Sequence, residues 1–171
     1  MVKVSRIWLI LAIICSLICC WWLGARMVNS IQFDHNCEAY LKRAADANTV
    51  EIAKENLEKA IEYAEENSLT KGVVSIFFNN PRNDFGFWYD NMKACYEELE
   101  SLPEDSTSLE RTNMLMKLRE SLVDTGESTS VTVPSGISIY PNNVMYFWWG
   151  IISSILACAF WIAFMATCDY Y

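Results

Sequence analysis

The chain has 171 residues, 53% hydrophobic and 20% charged, with 21 acidic residues against 13 basic ones and a single histidine. The charges are segregated: none falls between Arg6 and Arg26 or between Glu127 and Asp169, and Met27–Asn143 holds 20 of the acidic and 10 of the basic residues. That balance excludes a nucleic-acid binder, whose affinity comes from clustered cations, and the two long uncharged ends exclude a simple soluble enzyme.

Residues 1–6 contain Lys3 and Arg6 and are expected to be a short cytoplasmic N-terminus. Ile7–Ala25 supplies 19 residues whose only hydroxyl is Ser16. At about 1.5 Å per residue this just covers a hydrocarbon core about 30 Å thick, which predicts a first transmembrane helix. Trp8 at one edge and Trp21 with Trp22 at the other sit where interfacial aromatics belong. A cleaved signal peptide fits less well, because Leu23-Gly24-Ala25 lacks a small residue at its first position and Leu17-Ile18-Cys19-Cys20 lacks the small residue before the cysteine of a lipoprotein site. Small residues recur at every fourth position, Ala12, Ser16, Cys20 and Gly24, and predict a helix-packing face.

Residues 26–126 read as an acidic helical domain outside the cytoplasm. From Asp34, with Asp34 or Asn36 as cap, Cys37, Tyr40, Leu41, Ala44 and Ala45 recur at helical spacing. Asn48 with Glu51 suggests a capping box opening a second helix, lined by Val50, Ala53, Leu57, Ala60, Ile61 and Ala64 and ending near Asn67; the two form an antiparallel hairpin. The stretch from Leu41 to Asn67, with its Ala-Ile-Glu-Tyr-Ala run, resembles one tetratricopeptide unit, although no second copy of the period follows and a lone unit cannot bury its own face. Val73–Phe78 is an apolar run, a strand or a strap. Pro81–Asp84 is a turn, with Asp84 capping a third helix from Phe85 to about Leu102 whose aromatic stripe includes Trp88 and Tyr89, and Pro103 closes it. Thr107 and Glu110 form a second capping box for a fourth helix, with Leu109, Leu115, Leu118 and Leu122 facing inward and an end near Gly126.

Residues 127–143 carry no charge after Glu127, and Val131–Val133 and Ile137–Tyr140 read as extended pieces of an ordered juxtamembrane segment. Val144–Cys168 is the second predicted span, 25 residues long, with Tyr146, Trp148 and Trp149 at its start. Gly150, Ser154 and Cys158 repeat the four-residue spacing, with Ser153 and Ala157 beside them. Residues 169–171 form a short C-terminus. The fold class expected is thus an all-α membrane protein, in which two transmembrane helices flank a small, about four-helix extracytoplasmic domain with a short extended segment before the second span. Lys3 and Arg6 place both termini in the cytoplasm of a plasma (inner) membrane by the positive-inside rule.

Chemical motifs are sparse. Neither span contains Asp, Glu, Lys, Arg, His, Asn or Gln, which argues against a transporter. The lone His35 has no companion for a zinc site, the acidic ladder from Glu51 to Glu66 is interleaved with Lys54 and Lys59 and has no loop of alternating oxygen ligands, and no phosphate loop or hydrolase motif is present. No catalytic, cofactor or metal site is therefore expected. Cys37 and Cys95 are either two buried thiols or a disulfide. With about six residues before the first predicted span and three after the second, no cytoplasmic output module is expected. The expected role is a non-enzymatic membrane protein that contacts lipid and either itself, as a homo-oligomer, or a larger membrane complex, through the small-residue faces and a surface near Trp88 and Tyr89. The alternative is a small oligomeric channel with an acidic vestibule; a third class, a sensor of small ligands, would need a pocket near Trp88 and Tyr89.

Overall fold

The computed structural model describes residues 2–74, 83–124, 130–134 and 144–168, which are mostly helical. The chain divides into two units, Met1–Asn29 with Asn143–Tyr171, and Ser30–Asn142.

The first unit is a pair of apolar helices. Helix α1 (Val2–Phe33) begins in it and α6 (Val144–Cys168) completes it. At about 1.5 Å per residue they measure roughly 48 Å and 37 Å, and both are long and apolar enough to cross a membrane. They pack antiparallel: Trp8 stacks on Phe160, Cys19 lies on Ser154 and Trp22 lies on Gly150. Most of their large side chains face outward, among them Ile10, Leu17, Trp21, Ile155 and Ile162. A surface helix of a water-soluble domain would carry polar groups at such positions.

The second unit is built around α2 (Ala39–Ala45), α3 (Val50–Glu66), α4 (Phe85–Glu100) and α5 (Ser108–Leu122), with a small antiparallel ladder of β1 (Val123–Asp124) and β2 (Ser130–Val131) in which Val123 pairs with Val131. The expected helix start at Asp34 is corrected. Phe33 keeps helical angles (φ −62°, ψ −46°), and the backbone runs from α1 into α2 through one wide turn, Asp34–Glu38, with neither Asp34 nor Asn36 acting as a cap. Four residues advance an α-helix by about 40° more than one turn, so a strict four-residue row drifts around the axis. The wider turn takes up part of that drift and keeps Phe33, Cys37, Leu41 and Ala45 together in the core.

The hairpin of α2 and α3 forms as expected, but its cap shifts by one residue: Thr49, not Asn48, accepts the Ile52 N–H at 3.3 Å. Helix α3 ends on Asn67 in a Schellman arrangement, with Leu69 N–H donating to the Ala64 carbonyl at 2.7 Å and Ser68 N–H to Glu65 at 3.1 Å. Ser68 takes the left-handed φ of 58° this requires, and Leu69 is buried behind it. Val74 N–H donates to Asn83 and Phe85 N–H to Gly72, tying the segment after α3 to the start of α4; the rest of the run Val73–Phe78 and the residues Ile137–Tyr140 lie outside the described residues. Asp84 caps α4 and the Thr107–Glu110 box caps α5, both as expected. Helix α5 ends earlier than expected, at Leu122, where the chain turns into β1.

One inward assignment fails. Leu109 is 69% exposed, whereas Leu118 and Leu122 are buried and Leu115 packs at the edge of the core. At 3.6 residues per turn Leu109 lies about 180° around the helix from Leu118, on the solvent face.

Candidate functional site

Two regions carry the sequence-predicted site residues, and each is described within its own unit. In the helix pair, the contact seam follows alternating three- and four-residue steps. Ala12 is fully buried, Ser16 is half-buried, and Ser153 and Ala157 are buried opposite. Gly150 lies directly against Trp22: a Cβ there would overlap the indole carbons. Several polar groups find partners within the pair. Trp161 Nε1–H donates to Ser16 Oγ at 3.1 Å, and Cys19 Sγ lies 3.3 Å from Ser154 Oγ. Ser153 and Ser154 both donate to the Gly150 carbonyl, at 3.1 and 2.7 Å.

The predicted stripes are therefore only partly brought together. Cys20, Gly24 and Cys158 face outward, and nothing lies within 4 Å of a Cβ built at Gly24. The reason is again rotation: a four-residue row drifts by about 40° per step, so Ala12 and Ser16 share the seam while Cys20 and Gly24 swing off it. Sequence reasoning missed Trp8, Trp22 and Phe160 as seam residues. The signal that finds them is a period between three and four, the spacing of a left-handed helix pair.

In the second unit, Cys37 and Cys95 are separate buried thiols, so the disulfide alternative is not realised. Cys37 Sγ–H points to the Ala60 carbonyl at 3.8 Å, and burial, helped by the neighbouring Glu38 charge, pushes its pKa up to about 12. Burial likewise raises Cys95. Trp88 and Tyr89, expected on an interaction surface, are 8% and 9% exposed and belong to the core. Trp88 lies against Phe33 and Phe85, with ring centroids 6.2 and 5.5 Å away, and donates Nε1–H to the Thr132 carbonyl at 3.0 Å. Tyr89 donates its hydroxyl to Glu65 at 2.5 Å, which, with burial, pushes its pKa up to about 12. The exposed aromatic of α4 is Phe87, at 68%. It stands at the rim of a cavity of about 240 Å³ that has Trp88 in its wall.

The acidic ladder is a solvated face partly matched by cations. Lys59 pairs with Glu55 at 2.7 Å, Lys54 with Glu100 at 3.0 Å and Arg111 with Glu51 at 3.7 Å. Among the described residues no group of three His, Cys, Asp or Glu side chains is placed to hold a metal ion, and His35 is exposed. Comparison of the chain with protein-family models, with curated proteins and with solved structures finds no match.

Proposed function

We propose that the chain is a non-enzymatic, two-span membrane protein that serves as an oligomerising or accessory subunit of a membrane assembly, with both termini in the cytoplasm and Ser30–Asn142 as its extracytoplasmic part. The observation that carries this reading is the division of small residues between two surfaces of the helix pair. Ala12, Ser16, Gly150, Ser153, Ser154 and Ala157 are used within the chain, whereas Cys20, Gly24 and Cys158 face outward among Leu17, Trp21 and Ile155. In lipid, apolar surface gains little by leaving its surroundings, and close backbone approach at small residues is what favours a neighbouring helix. The pore reading draws on the serines, and Ser153 and Ser154 direct their hydroxyls to their own helix backbone instead.

The test is native mass measurement of the full chain in mild detergent, alongside Gly24→Leu and Gly150→Leu. The wild type is expected as a complex larger than one chain. Gly24→Leu is expected to shift it toward the single chain while helical content and melting temperature stay unchanged. Gly150→Leu overpacks the seam and is expected to lower the stability of the helix pair by roughly 1–3 kcal/mol. A wild-type chain that is a stable isolated monomer, with nothing bound, defeats the proposal.

A further inference from the structure

The cavity beside Trp88 lies where three parts of the second unit converge. Helix α4 supplies Phe87, Trp88 and Asn91, the end of α5 supplies Leu122, and the chain leaving β2 supplies Val133. Its volume of about 240 Å³ falls just under the roughly 300–1,000 Å³ of sites for drug-sized ligands, and so selects a body no larger than one ring. The walls are mainly hydrocarbon and indole. The Trp88 N–H is already engaged by the Thr132 carbonyl, which fixes the ring without leaving a buried donor for a ligand to satisfy.

The polar groups on the lining decide the ligand class. Ser121 is occupied, donating to the Lys117 carbonyl at 2.9 Å and interacting with Cys95. Asn91 is half-buried and its side chain makes no hydrogen bond to any described residue. Asp84 accepts the Gly86 and Phe87 N–H groups with Oδ1, at 2.8 and 3.4 Å. Among the described residues Oδ2 has no donor. Among the described residues the one charge on the lining is thus a carboxylate, accompanied by the neutral Asn91 amide, whose oxygen is a further acceptor, the Thr132 hydroxyl and two aromatic rings. An ammonium group brings three donors and a positive charge to acceptors of this kind, and it is attracted to aromatic faces. A carboxylate ligand meets repulsion, and a neutral alcohol lacks the Coulombic attraction.

We propose that this cavity is a binding site for a small primary amine with an aromatic or branched aliphatic body, the body lying against Phe87, Trp88 and Val133 and the ammonium group held by Asp84 with Asn91. The experiment uses the full chain in detergent micelles with 15N-labelled indoles, following the Trp88 Nε1–H resonance during titration with phenethylamine, phenethyl alcohol and phenylacetate. Saturable movement of that resonance is expected, strongest for the amine and weakest for the carboxylate. Asp84→Asn keeps a helix cap of equal quality, and is expected to weaken amine binding about tenfold or more, to the level of the alcohol. Val133→Trp, which fills the cavity, is expected to abolish the response to all three. The proposal is overturned if the Trp88 resonance stays fixed to the solubility limit of the amine, if amine and carboxylate act alike, if Asp84→Asn changes nothing, or if all indoles shift together as partition into the micelle requires.

Discussion

Tyr89 is buried as a residue while its hydroxyl, half-exposed, donates to Glu65, and the bond exists only while the phenol keeps its proton. Ionisation would break it and set a phenolate against a carboxylate, which is why the folded chain holds the proton to about pH 12 against an ordinary value of 10.0. The sign follows directly: the folded state binds the proton more tightly, so the contribution to stability is complete below pH 10 and is lost as pH rises from 10 to about 12. The melting temperature of the wild type is therefore expected to fall more steeply across that interval than that of Tyr89→Phe. Other tyrosines and lysines titrate in both proteins, so the difference between the two curves is the readout; parallel curves would remove the bond from the account. Cys37 acts in the same direction from its ordinary 9.0 upward, because burial disfavours its thiolate.

The starts of α4 and α5 were legible in the sequence because their caps are local devices, whereas at α3 two adjacent capping residues competed and Thr49 rather than Asn48 took the role. Asp84 before Phe85 and the Thr107–Glu110 box sit where their side chains predict, since the bonds span only two or three residues. In the box Glu110 receives the Thr107 N–H at 2.7 Å while Thr107 Oγ1 accepts the Glu110 N–H at 3.3 Å. Thr107→Ala is accordingly expected to lower the stability of the Ser30–Asn142 unit by about 1 kcal/mol in chemical denaturation; an unchanged midpoint would mean that the first turn of α5 contributes nothing to the cooperative fold. Features that depend on helix phase were not legible. Leu109 and Leu118 look equivalent as leucines but stand on opposite faces. The four-residue stripe Ala12, Ser16, Cys20, Gly24 looks like one face but winds away from α6. The join at Asp34 was missed because good capping residues mark a helix start only when the backbone leaves helical angles, and at Phe33 it does not. The cavity beside Trp88 depends on residues from α4, α5 and the chain after β2, a convergence no local pattern records.

Across the whole molecule, charge and hydrocarbon are sorted into different units. The acidic surplus belongs to the polar unit, where Lys54–Glu100 and Lys117–Glu98 join one helix to another and Arg119–Asp46 joins α5 to the turn after α2, all across exposed surface. Such solvated pairs hold little energy each, so that unit rests on its apolar core rather than on its ion pairs. The proposed topology makes the lysines of the two parts chemically distinguishable. A membrane-impermeant amine reagent applied to intact cells is expected to modify Lys42, Lys59 and Lys93 and to reach Lys3 only after permeabilisation; labelling of Lys3 in sealed cells reverses the assigned orientation. The contact between Trp22 and Gly150 bears on how such a chain can change through descent. The indole occupies the volume a side chain at residue 150 would need, so the two positions share one allotment of space. A lineage in which residue 150 gains a side chain while residue 22 keeps its indole carries a less stable helix pair, so the favoured route replaces the indole by something smaller first or at the same time.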